Sequence, residues 1–583
     1  MYLEKINGPE DIKKLSVEQL QPLADEVRTA LINRLSKIGG HHGPNLGVVE
    51  LTVALHYVFD SPKDKIVFDV SHQCYPHKIL TGRKRAYTDE EYFSEVTGYT
   101  NPLESEHDFF IVGHTSTSVS LALGLAKGRD ATGGNENIIA FIGDGSLSGG
   151  ETLEALDFAG EYDKNLIIIV NDNDQSIAEN HGGMYKTLKA LRESNGEAEN
   201  NIFKAFGLDY VYLDDGHNIK ALVELLSRVK DTKRPIVVHI HTIKGKGLKY
   251  AEENREFWHA GGPFNIEDGS PKYKRENGDN IIYNSLKGLL EKDKTAVILN
   301  AATPSGLGFV GAERDKLEKE GRFVDVGIAE ENAVAMASGI AKNGGRAVFG
   351  TFAPFFQRTY DQMSHDLCLN NSPATMLVLY PGVFGMNSNT HTAMCDIQMF
   401  AHIPNFVYLE PTTEEEYTAM FNFATTQTKN PIGLRITADL KSTGEKDETD
   451  YSDYNKNKVI QKGEKIAIFA LHTLVDIALE TAQKYKNKTG KEITVITPRF
   501  LTGLDTDLLE NLKKDHELII TLEDGLVEGG YGQRISAFYG TDKIKTVNLG
   551  ITKHFHTDFK PLELLAKCDI SADGIIKIIE ENL

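Results

Sequence analysis

Two short stretches decide the fold of this chain: Ala140-Phe141-Ile142-Gly143-Asp144-Gly145 and Asn171-Asp172-Asn173. Each closes an apolar run, residues 138–142 and 166–170, rich in Ile and Val. A helical segment separates the runs, so they read as neighbouring parallel strands. Ligands of open α/β sheets gather at the carboxyl ends of strands, which places the two polar motifs side by side at one crevice. Asp144 offers a carboxylate oxygen and Asn173 an amide oxygen. Such hard oxygens suit Mg²⁺, commonly held by one or two protein groups plus substrate phosphates. Gly143 and Gly145 keep Cβ atoms out of a phosphate's way, and a helix beginning near Ser148 would point its amide end at the anion. A bare Gly-Asp-Gly is an ordinary strand-to-helix turn. With the Asn-Asp-Asn echo, the pair reads as a diphosphate–metal site in outline.

Working outward, further stretches fall into a pattern. Gly39-Gly40-His41, Asn45-Leu46-Gly47-Val48-Val49-Glu50-Leu51-Thr52, Tyr75-Pro76-His77-Lys78-Ile79-Leu80-Thr81-Gly82-Arg83 and Gly327-Ile328-Ala329-Glu330 stand around the core motif. Together with Gly-Asp-Gly and its Asn, they resemble the 1-deoxy-D-xylulose-5-phosphate synthase family of transketolase-like thiamine diphosphate enzymes, over nearly the whole chain. The resemblance implies thiamine diphosphate and Mg²⁺ as cofactors. It implies Asp144, Asn173 and the backbone carbonyl of Gln175 as metal ligands. It also brings His41, His72, Gly113, His114, Thr115, Gly143, Gly145, Ser146, Lys244 and His259 to the cofactor, with His41 handling substrate protons.

At 583 residues the chain is too long for one core. Hydrophobic content of 40% and charged content of 25% are those of a globular protein. No apolar run approaches a membrane span, and residues 1–5 lack a signal-peptide pattern, so the cytoplasm is the expected address. A formal charge of −21 argues against a nucleic-acid partner. Cys74, Cys368, Cys395 and Cys568 stand far apart and read as reduced thiols.

The resulting expectation is an α/β protein of three doubly wound parallel-sheet domains, transketolase-like. Residues 1–279 form the diphosphate-binding domain, 280–440 the pyrimidine-binding domain, 441–465 a charged linker and 466–583 a C-terminal domain without catalytic residues. The stretch 181–201 departs from the family, which carries a longer insertion there; a lid is expected to be reduced. Gly306-Leu307-Gly308-Phe309-Val310-Gly311 fits a dinucleotide pattern, but residues 301–305 separate it from any strand and no long helix is expected directly after it.

In the second domain, an apolar run at 323–326 leads into Glu330 at a helix start, where the helix dipole steadies a carboxylate. By resemblance Glu330 bonds N1′ of the aminopyrimidine, Phe355 stacks on that ring, and Arg358 and His391 approach substrate. Two family arginines that clamp an acceptor's phosphate are replaced here by Tyr380 and Ala438, a family aspartate by Asn387, and a family tyrosine by Phe352. The cofactor machinery is therefore complete and the acceptor machinery altered. The expected activity is decarboxylation of pyruvate with transfer of the two-carbon unit to an aldehyde such as glyceraldehyde 3-phosphate, by a homodimer serving isoprenoid and thiamine biosynthesis. Ketol transfer of the transketolase kind, with a different and unphosphorylated acceptor, stays open. So does a thiamine diphosphate-binding protein without turnover, although Glu330, Asp144 and Asn173 together argue against it.

Overall fold

The computed structural model describes residues 1–273, 280–386, 388, 390–437, 440–557 and 559–583. Asn387 and Ala438, two of the acceptor-site positions, and the 279/280 boundary lie outside them. The chain divides into two compact units, Met1–Asn277 with Gly327–Ala329, and Gly278–Val326 with Glu330–Leu583.

The first unit is built on five parallel strands, β1 (Lys65–Phe68), β2 (Ile138–Gly143), β3 (Leu166–Asp172), β4 (Asp209–Leu213) and β5 (Pro235–His241), in the order β1-β2-β3-β5-β4. Side chains alternate between two cores. Ile139, Phe141, Ile167 and Ile169 face one core, shared with the helices Val17–Ile38, Val49–Val58 and Ile219–Val229. Ile138, Ala140, Ile142, Ile168 and Val170 face the other, shared with Ser118–Thr132, Gly150–Glu161 and Gly183–Glu193. With both faces covered, the strands read as continuous apolar runs, and each fully buried Ile or Leu contributes about 1.5–3 kcal/mol. The helix after Asp144 begins at Gly150, after a 3₁₀ turn over Asp144–Ser148. The stretch that departs from the family is ordered here: Gly183–Glu193 buries Tyr185, Leu188 and Leu191.

The second unit holds two sheets. The first has six parallel strands, β6 (Ala296–Asn300), β7 (Phe323–Asp325), β8 (Arg346–Phe352), β9 (Thr375–Leu379), β10 (Val407–Leu409) and β11 (Ile432–Ile436), in the order β10-β11-β9-β8-β6-β7. Leu299, Phe349, Met376 and Val378 pack on one face; Ile298, Val348, Leu377 and Leu434 pack on the other. The second sheet comprises β12 (Lys458–Gln461), β13 (Lys465–Ala470), β14 (Thr494–Thr497), β15 (His516–Leu526) and β16 (Lys545–Ile551), in the order β12-β14-β13-β15-β16. Its faces are again double, with Ile466, Ile468 and Val495 on one side and Ala467, Phe469 and Ile496 on the other.

Two details correct the sequence reading. The sheets are not wholly parallel, because β12 pairs antiparallel with β14. This strand lies inside the stretch 441–465 expected as linker. Its four residues, Lys-Val-Ile-Gln, are only half buried, as suits a sheet edge guarded by a lysine. Secondly, a helix does follow the Gly306–Gly311 pattern, Gly311–Lys319, running through the charged residues. The pattern is still separated from β6 by residues 301–305, and its first glycine lies within a 3₁₀ turn, Pro304–Leu307, so no strand feeds it.

Candidate active site

In the first unit, Asp144 and Asn173 leave adjacent strands at the same edge, because Gly143 pairs with Asn171 across β2 and β3. The Asp144 carboxylate is buried. Its Oδ2 accepts the Gln175 backbone N–H at 3.0 Å and the Asn180 side-chain Nδ2 at 2.6 Å, while Oδ1 meets only the Asn173 N–H at 3.5 Å. Asn173 Oδ1 is buried and has no hydrogen-bond partner among the described residues. Burial, and then the neighbouring Asp172 carboxylate, push the Asp144 pKa above its ordinary value. Asp172 itself, against the cost of burial, is held low by His239 Nε2 at 2.8 Å and Arg192 at 2.7 Å.

An amide oxygen without a partner among the described residues, beside a buried carboxylate, is what a site for a hard dication looks like. Among the described residues no cluster of three His, Cys, Asp or Glu side chains could hold a metal by itself. An ion here would depend on Asp144, amide oxygens and oxygens brought by a ligand. An added Cβ at Gly143 would meet no atom within 4 Å, which leaves open space in front of the strand end. At Gly145 a Cβ would come within 2.9 Å of the Ser176 Cβ, so close packing requires glycine there.

Three loops converge on this edge. Asp69 accepts the backbone N–H groups of Ser116 at 2.8 Å and Ser118 at 3.0 Å, and Ser71 Oγ donates to Val112 O at 2.9 Å. Gly113, His114 and Thr115 lie between these anchors. Ser116 Oγ donates in turn to the carbonyl of Ser146 at 2.8 Å. His41 and His259 are joined by a short antiparallel pair, Gly40 opposite Gly261 and His41 opposite Ala260. Gly39 is indispensable there: its φ is 76°, and a Cβ would lie 2.3 Å from the Gly261 carbonyl oxygen. The rings of His41, His72 and His259 form a cluster with centroids 5.2–5.9 Å apart, His72 and His259 stacked. Burial lowers His41 to about 4, with the nearby His42 adding to the effect, and drives His259 well below the usual range. Both are neutral imidazoles at pH 7. Lys244 is buried too. Its Nζ donates to Ser176 O at 2.5 Å, and burial lowers its pKa to about 7.

Two asparagines in this half carry no assignment from the sequence. Asn45 Nδ2 donates to the carbonyls of His41 and His72, both at 2.8 Å, and its Oδ1 accepts the Tyr75 N–H at 2.9 Å. One buried amide thereby ties together the loops that carry the histidines. Asn45 opens one of the stretches that carry the resemblance, which was the only signal for it. Asn180 had none.

In the second unit, Glu330 begins the helix Glu330–Lys342 and is buried. Its Oε2 has no hydrogen-bond partner among the described residues and lies 3.8 Å from Arg358 Nη1. Burial raises its pKa to about 7, with the Arg358 charge opposing the shift. The Phe355 ring meets the His391 ring edge-on at 5.7 Å and that of Phe352 at 6.1 Å. His391 Nδ1 is bonded to Thr390 Oγ1 at 2.9 Å. Tyr380, directly after β9, stacks on Phe352 with centroids 5.9 Å apart. Arg435 is fully buried. It contacts Asp396 Oδ2 at 2.7 Å, Glu410 Oε1 at 2.5 Å and Asp524 Oδ1 at 2.9 Å.

The chain's relatives point the same way as its geometry. Residues 3–199 and 194–242 match the family model for 1-deoxy-D-xylulose-5-phosphate synthase, residues 279–441 the transketolase pyrimidine-binding domain, and residues 455–575 the transketolase C-terminal domain. Curated proteins named 1-deoxy-D-xylulose-5-phosphate synthase align along the full length. The one from Carboxydothermus hydrogenoformans is 37% identical over 97% of this chain and 96% of its own. That from Symbiobacterium thermophilum is 35% identical over 100% and 95%, and that from Clostridium perfringens strain SM101 35% over 100% and 99%. Members of this group are transferases with a transketolase-like α/β fold that use thiamine diphosphate and a divalent metal, typically Mg²⁺. This chain belongs to the 1-deoxy-D-xylulose-5-phosphate synthase family.

Proposed function

We propose that this protein decarboxylates pyruvate and joins the two-carbon unit to an aldehyde or oxo acid, with a preference for acceptors that carry no phosphate. The observation that carries the carboligase reading is Glu330, a buried carboxyl at the head of a helix whose Oε2 lacks a hydrogen bond among the described residues and whose pKa is raised to about 7. Such a group holds and releases a proton at neutral pH, as general acid–base catalysis requires. Thiamine diphosphate, when bound, supplies the electron sink for decarboxylation and carbon–carbon bond formation.

The residues of this chain do the rest. Asp144 and Asn173 would hold Mg²⁺ with the Gln175 carbonyl, and through it the diphosphate. Lys244 adds a buried amine, titrating near 7, to the same polar cradle. Glu330 would hold a proton against a ring nitrogen of the cofactor, and Phe355 would offer that ring an apolar face. His41, neutral and beside His72 and His259, would accept a substrate proton. Arg358 and His391 would orient the carboxylate and carbonyl of the reactants.

The acceptor preference rests on Tyr380 and Phe352. Their stacked rings present no cation where the family places an arginine. Arg435 does not stand in for it, being occupied by three carboxylates. Family membership supports a homodimer in the cytoplasm serving isoprenoid and thiamine biosynthesis; among the described residues no helix is long and apolar enough to cross a membrane. The test is incubation with pyruvate, Mg²⁺, thiamine diphosphate and a panel of aldehydes and oxo acids, reading carbon dioxide and products by mass spectrometry. Carbon dioxide release coupled to a new ligation product is expected, with glyceraldehyde used at least as well as glyceraldehyde 3-phosphate. A large preference for the phosphorylated aldehyde would overturn the acceptor assignment, and ligation from a ketose donor without carbon dioxide would overturn the donor.

A further inference from the structure

The two oxygens of Asp144 are treated unequally. Oδ2 takes two donors, the Gln175 N–H at 3.0 Å and Asn180 Nδ2 at 2.6 Å, whereas Oδ1 has only the 3.5 Å approach of the Asn173 N–H. The oxygen left available, Asp144 Oδ1, is the one approached by the backbone of Asn173, whose own Oδ1 has no partner among the described residues. A carboxylate can turn about its Cβ–Cγ bond and present either oxygen. The shortest contact that fixes the choice comes from Asn180, whose own buried Oδ1 has no hydrogen-bond partner among the described residues.

Asn180 is in turn well placed to act as a fixed point. It stands just before the helix Gly183–Glu193, and that helix is braced against the same strand ends. The Tyr185 hydroxyl donates to the carbonyls of Asp144 at 3.3 Å and Gly145 at 3.1 Å. Arg192 pairs with Asp172 at 2.7 Å and with Asp174 at 2.6 Å. The segment that departs from the family is therefore fastened to the backbone and side chains around the metal motif.

We infer that Asn180 is a positioning residue for the metal ligand Asp144: its amide holds Oδ2 so that Oδ1, with Asn173 Oδ1, faces the cation. This rests on the divalent-metal reading of the Asp144–Asn173 pair. Groups that orient a ligand from behind commonly change metal affinity by about 10- to 100-fold when removed.

The experiment uses Mn²⁺ with thiamine diphosphate and the full chain, read by calorimetry and by the electron paramagnetic resonance spectrum of bound Mn²⁺. Asn180→Leu keeps the approximate shape and removes the donor; Asn180→Ala is the second variant should Leu not fold. Asn180→Gln restores an amide donor. The expected result is a loss of about 10- to 100-fold in Mn²⁺ affinity for Asn180→Leu, an altered Mn²⁺ spectrum, an unchanged melting temperature of the apoprotein, and partial recovery in Asn180→Gln. Wild-type affinity and spectrum in Asn180→Leu would overturn the inference. So would a loss accompanied by a lowered apoprotein melting temperature and no recovery in Asn180→Gln, which marks a merely structural asparagine. If wild type binds no Mn²⁺ in a thiamine diphosphate-dependent way, the metal reading itself fails, and the inference falls with it.

Discussion

Asp144 and Tyr380 occupy equivalent places, each directly after a buried parallel strand of a doubly wound sheet. Their surroundings differ in kind. Around Asp144 converge backbone N–H groups, the Asn180 amide and an orphaned Asn173 oxygen, with Lys244 exerting its charge. Tyr380 meets the flat ring of Phe352, which leads on to Phe355 and His391. The first strand end is made to hold charge and leaves polar capacity unspent. The second has taken up an aromatic partner, and the nearby strand arginine, Arg435, is already neutralised. One fold thus supplies identical platforms, and the residues just past each strand decide whether the platform takes an ion or an apolar surface.

The comparison is broken most completely at its charged end. Asp144→Ala is expected to abolish binding of Mg²⁺ and thiamine diphosphate, because the remaining amide oxygens cannot balance a dication and a diphosphate. Calorimetry reads this directly, and unchanged affinity would remove the metal from this strand end.

Glu330→Gln should leave cofactor binding largely intact while slowing deprotonation at the cofactor's reactive carbon by roughly 10²- to 10⁴-fold, the range of acid–base contributions. Deuterium exchange at that carbon is the measurement; equal rates in both proteins would end the role. The same variant has a second signature. Burial raises the folded pKa of Glu330 to about 7 from its ordinary 4.5. Its proton therefore stabilises the apoprotein fully below about pH 4.5. That contribution is lost as pH rises towards 7, at about 1.4 kcal/mol per pH unit in the window. Glu330→Gln should lack this slope in denaturant titrations run across that range.

The smallest expected change sharpens the apolar end. Tyr380→Arg adds one charged hydrogen-bonding group where the family has its arginine. A gain of roughly 10- to 100-fold in preference for glyceraldehyde 3-phosphate over glyceraldehyde is expected, from about 1.5–3 kcal/mol for a bond to a charged group. Steady-state kcat/KM for the two aldehydes checks it. An unchanged ratio would mean that position 380 does not face the acceptor.

What could be read without coordinates had a local cause. The strands showed as runs of β-branched residues because both of their faces are buried, and Asp144 and Asn173 announced themselves as the polar ends of such runs. Glu330 was legible as an acid opening a helix after a short strand. The three-sheet architecture came from the family resemblance, not from periodicity. Its antiparallel edge was not legible, since the four residues of β12 carry too weak a pattern to stand out within a charged stretch.

The sequence by itself determined the strand ends, the residue types at them and the family they spell. Tertiary structure alone decided which distant groups meet. Pairing of Gly40 with Gly261 brings His259 to His41 across more than two hundred residues, and Asn45 then binds the histidine loops to each other. Arg435 became structural because Asp396, Glu410 and Asp524 close on it from three other segments. Asn180 meets Asp144 only in the folded chain, 36 residues away in sequence and outside the motifs. The physical reason is one of range: propensity and periodicity act between neighbours in the chain, whereas desolvation, hydrogen bonding and the pKa shifts they cause depend on whatever folding packs alongside.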